Sequence, residues 1–347
     1  MISEINIVGS VPLESSEAVF RALGSAMRGR VKRLPDGETG PLRSKWILCQ
    51  FPVFREHPAF EVLSEDEARK CNLTPVGLPP LVRLKARELT FGELGYGQWA
   101  LDSYAVFARL KKEGVIEQGC RFQVCIPTPF AVVNRAVNPD DHAAVLPAYH
   151  AALRREVERM LQTIPHREFC LQLDVCHEVG IWEGVFVTRQ QDAKHTVLEQ
   201  VADLAGVVPA GAELGFHVCY GDFGHQHFVE PKDATVLTAI SNELKKLTRR
   251  RIDYIQAPVP RGRQDEAFFE PFRKLALDPQ TMLFLGLVHA TDGVPGAMRR
   301  IEAARRSVPQ FGIATECGWG RRSPQSIPAL IELHAEILRS ASALMPS

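Results

Sequence analysis

Gly215-Phe216-His217-Val218-Cys219-Tyr220 is the stretch around which the chain is organised. It follows a short apolar run and places an imidazole and a thiol two residues apart. In a β-strand, residues i and i+2 point to the same side, so His217 and Cys219 at a strand end could hold one metal ion together. Cys317, in Thr315-Glu316-Cys317-Gly318, would complete a set of one histidine and two cysteines, which zinc favours.

The composition is that of a soluble globular protein. Of its 347 residues, 45% are hydrophobic and 24% are charged, and 41 Lys and Arg balance 41 Asp and Glu. A formal net charge of zero argues against nucleic acid or a membrane surface as a partner. No apolar run reaches about 18 residues and no signal-peptide pattern is evident, which predicts a cytoplasmic protein. The 8 cysteines are too few for a disulfide framework in a chain of this length.

Short apolar, β-branched runs alternate with helical patterns, which is typical of parallel strands joined by crossover helices. Strands are predicted over 5–8, 31–34, 122–126, 169–174, 213–218, 252–256, 282–288 and 311–314. Helices are predicted at about 15–28, 98–113, 142–161, 192–205, 231–249, 298–305 and 324–344. Eight such units predict an α/β protein with a (β/α)8 TIM barrel. We expect one barrel over 1–347, with an insertion of about 41–96 after the second strand that includes a hairpin.

Polar residues suited to chemistry follow the ends of these strands. They are Ser10, Asp36, Glu38, Thr128, Asp174, His217, Cys219, Gln256, His289, Asp292, Glu316 and Cys317. Enzymes with this fold build their active sites at the carboxyl ends of the barrel strands. The pattern therefore predicts that these side chains meet at one face of the barrel.

Five short motifs follow the predicted strands in order. They are Val8-Gly9-Ser10-Val11-Pro12, Asp36-Gly37-Glu38, Gln172-Leu173-Asp174, His217-Val218-Cys219-Tyr220 and Glu316-Cys317-Gly318. In sequence, order and spacing they resemble motifs in the catalytic barrel of cobalamin-independent methionine synthase and its relatives, the zinc thiol methyltransferases. The resemblance covers most of the chain, without the duplicated amino-terminal half of the usual methionine synthase.

The resemblance implies a zinc ion held by His217, Cys219, Cys317 and a residue at the end of the sixth strand. The family has a glutamate at that position, whereas this chain has Gln256, a neutral and poorer ligand. If Gln256 is itself a ligand, glutamate in its place should bind the metal more tightly. Alternatively, three protein ligands leave the fourth position to water or substrate. Other groups that could take this position are Glu316, Asp222 and His289.

The resemblance also implies that Ser10, Glu38 and Asp174 bind the amino-acid part of a thiol substrate. Two carboxylates suit an ammonium group, and a backbone N–H beside Ser10 suits a carboxylate. The family's proton-donating histidine after the seventh strand is not retained at its position. His289 and Asp292 are the candidates for this acid in the present chain.

The activity implied by the resemblance is zinc-dependent transfer of a methyl or other alkyl group to a thiol such as homocysteine. The expected partners are this small thiol and a methyl donor, which is left open among methyltetrahydrofolate, a corrinoid protein and a small methylated compound. Because a fold does not determine a function, two alternatives remain. One is a metal-dependent lyase or hydrolase acting on a small organic acid, and the other is a non-catalytic binder of a thiol or metal.

Overall fold

The computed structural model of the protein describes residues 2, 4–71, 80–86, 88–186, 188–224 and 226–343. The strands in this part are β1 (Arg33–Pro35), β2 (Phe60–Val62), β3 (Val82–Leu84), β4 (Arg121–Pro127), β5 (Phe169–Val175), β6 (Glu213–Val218), β7 (Tyr254–Pro258), β8 (Met282–Gly286) and β9 (Gly312–Ile313). Seven of them form one sheet in the order β1-β4-β5-β6-β7-β8-β9, and every pair in it is parallel. The architecture is a mixed α/β fold whose curled parallel sheet forms a half-barrel.

The α-helices alternate with these strands along the chain. They are α1 (Ser16–Ala26), α2 (Phe51–Arg55), α3 (Glu65–Cys71), α4 (Tyr96–Lys112), α5 (Pro129–Ala136), α6 (His142–Thr163), α7 (His177–Trp182), α8 (Ala193–Ala205), α9 (Thr235–Leu247), α10 (Glu266–Phe269), α11 (Gly293–Arg305) and α12 (Ile327–Ala343). The seven predicted helices correspond to α1, α4, α6, α8, α9, α11 and α12, with ends shifted by a few residues. Within the described ranges, none of the helices combines the length and apolarity needed to cross a membrane.

The amino-terminal segment differs from the strand predicted there. Residues 6–8 are not part of a regular strand, and Ile5 makes only a single parallel bridge, to Ile313. The side-chain amide of Gln172 donates to the carbonyl of Val8 at 2.6 Å. In a regular strand, this carbonyl would accept from the backbone of a neighbouring strand. The first of the eight predicted strands is therefore present as one bridge beside a seven-stranded sheet.

The segment over 41–96 carries its own short elements, as expected for an insertion. It holds α2, α3 and a small sheet in which β2 and β3 pair antiparallel; because α3 lies between these two strands in the sequence, they are not a simple hairpin. Residues 72–79, between these two strands, lie outside the described residues. The segment is attached to the rest of the chain by a bridge between Val82 and Val137. The buried Phe54 also stacks on Tyr149 of α6, with ring centroids 5.5 Å apart.

A buried ionic cluster lies at the amino-terminal end of the parallel sheet. The side chain of Arg33 in β1 is only 6% exposed, and its Nη1 is 3.0 Å from Glu4 Oε1. Its Nε donates to Glu213 Oε2 at 2.5 Å. The guanidinium also lies over the ring of Tyr254, 4.5 Å from the centroid. One arginine thus links the amino-terminal segment to three strands of the sheet.

Arg33→Met should lower the free energy of unfolding by about 3 kcal/mol, because Glu4 and Glu213 lose their buried partner and keep only the more exposed Lys32 and Arg121. The matched control is Arg21→Met, since the pairs of Arg21 with Glu17 and Glu113 are largely exposed. We expect a loss below about 1 kcal/mol for this control. Urea unfolding of both variants measures the difference, and equal losses would contradict the buried role of Arg33.

Candidate metal centre and substrate pocket

Three polar side chains lie next to one another near the carboxyl end of the parallel sheet. Asp174 of β5 is in register with His217 of β6, which is in register with Gln256 of β7. Register partners on adjacent strands point to the same side of a sheet. All three residues are buried. The register of the strands therefore builds a polar row at the end of the sheet where the sequence predicted a site.

The three predicted nitrogen and sulfur ligands come together beside this row. Ligand atoms of His217, Cys219 and Cys317 lie within 4.8 Å of one another. Cys219 directly follows β6, and its N–H donates to the carbonyl of Val175 at 3.0 Å. Cys317 belongs to the loop that follows β9. The fold thus brings together residues that are about 100 positions apart in the sequence.

The donor atoms of this group fit a metal ion. His217 Nε2 is buried and has no hydrogen-bond partner among the described residues. A buried polar atom without a partner is rare and destabilising in a folded protein. A zinc ion would give this nitrogen a partner, and the neighbouring Cys219 and Cys317 would supply the sulfur donors that zinc prefers.

The two thiols need a cation to become good ligands. A hydrogen bond with Cys176, followed by burial, raises the pKa of Cys219, against the opposing hydrogen bond with Cys317. The hydrogen bond with Cys219, followed by burial, raises the pKa of Cys317, against the opposing effect of the nearby His217. A metal ion favours the thiolate form, because it binds the deprotonated sulfur.

Gln256 uses both ends of its amide group for contacts within the protein. Its Nε2 donates to the carbonyl of Thr315 at 3.0 Å and approaches that of Glu316 at 3.3 Å. Its Oε1 contacts His217 Nδ1. Donation from Nδ1–H to this oxygen leaves the lone pair of Nε2 for a metal. These contacts favour a residue that orients His217, and a role for Gln256 as a direct ligand stays a prediction.

Gln256→Leu should weaken zinc binding by about 10- to 100-fold, the usual effect of losing a partner that orients a metal ligand. Competition with a chromogenic chelator measures this affinity. Gln256→Glu distinguishes orientation from direct ligation. Glutamate cannot donate to the Thr315 carbonyl, so an orienting role predicts no gain in affinity. A clear gain in the glutamate variant would instead identify this position as a ligand.

A pocket opens beside the metal group. The residues that line it are Val8, Gly9, Ser10, Glu38, Ser44, Trp46, Asp174, Cys176, His217, Cys219, Gly221, Asp222, Cys317, Gly318, Gly320 and Arg321. The three residues predicted to bind substrate, Ser10, Glu38 and Asp174, therefore share one cavity with the three predicted metal ligands. The candidate acids His289 and Asp292 are not among the lining residues.

Ser10 is held tightly against the loop that carries Cys317. Its Oγ accepts a hydrogen bond from Gly320 N–H at 3.2 Å, and its carbonyl accepts one from Trp319 N–H at 2.7 Å. A Cβ atom at Gly318 would lie 2.3 Å from Ser10 Oγ. Only glycine permits this approach of the two backbones, which places the serine hydroxyl beside the metal group.

Glu38, which is half-buried, and Asp174, which is buried, form a pair of carboxyl groups in the pocket. Burial and the nearby charge of Asp174 raise the pKa of Glu38 to about 8, against the opposing effect of Arg43. Burial raises the pKa of Asp174 to about 7, although Gln172 and Trp46 donate hydrogen bonds to it. Both groups would be stabilised as carboxylates by a cation in the pocket.

Glu38 has a left-handed backbone conformation, which is unusual for a residue other than glycine. Glu38 has a φ of 50°, directly after Gly37 with a φ of 80°. Asp36 closes this turn by accepting the Glu38 N–H at 3.0 Å, and its carboxylate pairs with Arg43 at 2.8 Å. Left-handed backbone at a residue other than glycine costs on the order of 1 kcal/mol or more and is concentrated at functional sites. The turn thus directs the Glu38 side chain into the pocket against its local preference.

Trp46 and Cys176 are pocket residues that the sequence did not reveal. Trp46 comes from the insertion, has a φ of 50°, and donates its Nε1–H to Asp174 Oδ2 at 3.2 Å. No periodic pattern marks this residue. Cys176 lies two residues after Asp174 at the end of β5. The same spacing that drew attention to His217 and Cys219 could have identified it.

The candidate acids have other contacts. Both oxygens of Asp292 accept hydrogen bonds from the fully buried Arg300, at 2.7 and 2.8 Å. Although burial opposes the effect, these bonds lower the pKa of Asp292. His289 Nε2 is 2.9 Å from the carbonyl of Val259, and its Nδ1 is 3.4 Å from Glu316 Oε2. Asp292 is therefore a counter-ion of Arg300, and an acid role for either residue stays a prediction.

The charged groups considered for the fourth metal position lie at ion-pair distance from other side chains, although Glu316 Oε1 makes no hydrogen bond among the described residues. Glu316 lies between two imidazoles, 3.3 Å from His227 Nε2 and 3.4 Å from His289 Nδ1. Asp222 Oδ2 is 3.2 Å from Arg321 Nη1. The contacts of these groups favour a metal set of three protein ligands with an open fourth position.

Solved structures similar to this chain include methionine synthase-like and methyltransferase proteins. A B12-independent methionine synthase from Shewanella sp. W3-18-1, solved with selenomethionine, aligns with a TM-score of 0.61 at 13% identity over 99% of this chain and 100% of that chain. A putative vitamin-B12-independent methionine synthase from Listeria monocytogenes gives 0.54 at 15% identity over 97% and 99%. A methyltransferase from Methanosarcina mazei gives 0.52 at 9% identity over 97% and 95%.

The comparisons based on sequence found no similar protein. No protein-family model and no curated protein matches the chain. At identities of 15% or less, the structural similarity establishes a shared fold. Any statement about the reaction therefore depends on the residues of the site.

Proposed function

We propose that the protein is a zinc-dependent enzyme that transfers a methyl or other alkyl group to the sulfur of a thiol such as homocysteine. The observation that carries this proposal is that His217 Nε2 is buried without a hydrogen-bond partner in the described part of the chain, while ligand atoms of His217, Cys219 and Cys317 lie within 4.8 Å of one another. The fold shared with methionine synthase-like and methyltransferase structures supports methyl transfer as the general reaction.

His217, Cys219 and Cys317 would hold the metal, and its fourth position would remain open to the acceptor. An open position distinguishes catalytic zinc sites from structural ones. When bound, zinc lowers the pKa of a substrate thiol, so that the sulfur reacts as a thiolate. The contact of His217 Nδ1 with Gln256 keeps the imidazole in the orientation that this requires.

Glu38 and Asp174 would bind the ammonium group of the acceptor. Their burial next to each other raises both pKa values, and a bound cation offsets this unfavourable arrangement. Ser10 Oγ accepts from Gly320 N–H, so its own hydrogen can be donated to the acceptor carboxylate. These contacts would fix the sulfur at the metal group and orient it toward the donor, which lowers the entropic part of the barrier.

We further propose that the amino-terminal segment completes an eight-stranded barrel around this site. The N–H of Asn6 donates to the carbonyl of Ile313, at 2.9 Å, on one edge of the sheet. The N–H of Ile5 donates to the carbonyl of Arg30, at 2.8 Å, just before the strand at the other edge. These bonds support closure of the barrel by the amino-terminal segment between β9 and β1.

The methyl donor is proposed to be a methylated folate, a corrinoid protein or a small methylated compound.

Metal analysis followed by a thiol assay tests the proposed function. We expect about one zinc per chain after purification or reconstitution, and thiol methylation when a competent donor is present. Mass spectrometry of the thiol product, with chelator-treated protein as the control, measures the reaction. Turnover of a small organic acid without any thiol would overturn the proposal in favour of a metal-dependent lyase or hydrolase.

A further inference from the structure

Arg321 is the one lysine or arginine among the described residues that line the pocket. Its side chain is 36% exposed, and its Nη1 is 3.2 Å from Asp222 Oδ2. Cys317, four residues earlier in the chain, lines the same pocket, and although burial opposes the effect, Cys317 and Asp222 raise the pKa of Arg321. Arg321 therefore places a permanent positive charge in the same pocket as the metal group.

A positive charge near the metal group would be favourable once the acceptor thiolate binds. Zinc with two thiolates and a neutral imidazole has no net charge, and the neighbouring Gln256 adds none. Binding of a third thiolate, from the acceptor, would make the group negative. Because Arg321 lines the same pocket as His217, Cys219 and Cys317, it can offset this charge without being a metal ligand.

The guanidinium has donors left over for a ligand. It carries five N–H donors, and its ion pair with Asp222 does not use all of them. Ser10 lines the same pocket and is bonded through its Oγ to Gly320, the residue immediately before Arg321. One short loop thus sets the position of a hydroxyl donor and a guanidinium, a combination that suits a carboxylate.

We infer that Arg321, together with Ser10, binds the carboxylate of the acceptor, so that the enzyme selects α-amino-acid thiols over thiols that carry only an amine. The inference rests on the proposed function and assigns a substrate-binding role to a residue outside the five motifs. Glu38 and Asp174 bind the ammonium group in the same pocket, and the acceptor is recognised as a zwitterion.

Zinc-loaded protein is titrated by calorimetry with two thiols that differ in one group. Homocysteine has the carboxylate, and 3-aminopropane-1-thiol is the same molecule without it. Arg321→Gln is expected to raise the Kd for homocysteine about 10- to 100-fold, through loss of a charged hydrogen bond. The Kd for 3-aminopropane-1-thiol should not change. Arg321→Lys should show a smaller loss, because lysine keeps the charge without the two-pronged geometry.

The matched control is Arg322→Gln, which removes the same charge one residue away, at a position outside the pocket lining. It should leave both Kd values unchanged, and zinc content should be equal in all variants. Equal weakening of both thiols by Arg321→Gln would overturn the inference, because it would reduce Arg321 to a partner of the Cys317 thiolate. An unchanged Kd for homocysteine would overturn it as well. If wild-type protein binds neither thiol, the proposed function itself fails.

Discussion

Serine in place of Cys219 or Cys317 should remove most of the bound zinc. Each substitution replaces a soft thiolate with a hydroxyl that stays protonated at neutral pH, while leaving the volume of the side chain almost unchanged. Zinc sites bind with roughly 10–16 kcal/mol shared among about four ligands, so losing one should cost roughly 3 kcal/mol, or about 100-fold in affinity. Elemental analysis after dialysis against a weak chelator measures the loss.

Two other cysteines provide controls for this experiment. Cys71 ends α3 in the insertion and lies outside the pocket, so Cys71→Ser should retain full zinc. Cys176 lines the pocket and raises the pKa of Cys219, but it is not part of the group whose ligand atoms lie within 4.8 Å of one another. Cys176→Ser should therefore keep most of its zinc. Full zinc in both Cys219→Ser and Cys317→Ser would eliminate this metal site.

Glu38→Gln should weaken the binding of amine-bearing thiols by about 10- to 100-fold. The substitution keeps the size of the side chain and removes a charged hydrogen bond to the substrate ammonium, worth about 1.5–3 kcal/mol. Titration of zinc-loaded protein with 3-aminopropane-1-thiol measures the loss. The control ligand is 4-mercaptobutanoate, which has a carboxylate and no amine and should bind this variant no more weakly than wild type.

The same substitution should stabilise the protein without substrate as the pH rises. Because burial raises the pKa of Glu38 from 4.5 to about 8, the folded protein holds this proton more tightly than the unfolded chain does. Stability of the wild type is therefore lost as the pH rises from about 5 to 8, and the uncharged glutamine of the variant avoids this loss. The advantage in Tm of Glu38→Gln should grow over that range in thermal unfolding. A constant difference would mean that Glu38 is not buried as a carboxyl group next to Asp174.

These two sets of variants separate the metal from the substrate pocket. The cysteine variants test the metal group without removing Glu38, and the glutamine variant tests ammonium binding without removing a metal ligand. Loss of zinc in Glu38→Gln would couple the two functions and contradict the division of roles proposed for the pocket.

Most of the parallel sheet could be predicted from hydrophobic patterns. The strands after residue 120 were expected within a few residues of β4 to β9, because buried parallel strands are apolar runs between helical segments. The segment at 5–8 has the same apolar pattern, yet only Ile5 forms a bridge. Whether an apolar run becomes a strand depends on which groups its backbone meets, and here Gln172 bonds to Val8.

The site residues also divide into those that sequence patterns could predict and those that depend on the fold. His217 and Cys219 share one strand end, so their spacing alone predicted that they act together. Cys317, Ser10, Glu38 and Asp174 were assigned through motifs, and the fold places them around one pocket. Trp46 was missed because its contact with Asp174 joins an irregular insertion to a distant strand.

The sequence by itself therefore determined the alternation of strands and helices, and it determined the donor atoms of the metal group, since both are properties of local pattern and residue type. Only the tertiary structure decided what Gln256, Asp292 and Arg321 do. A glutamine oriented toward His217 and an arginine paired with Asp222 depend on contacts between segments far apart in the chain, and the bond of Asp292 to Arg300 depends on how a loop packs against the helix that follows it. Such contacts leave no periodic signal in sequence, because they arise from strand register and loop packing.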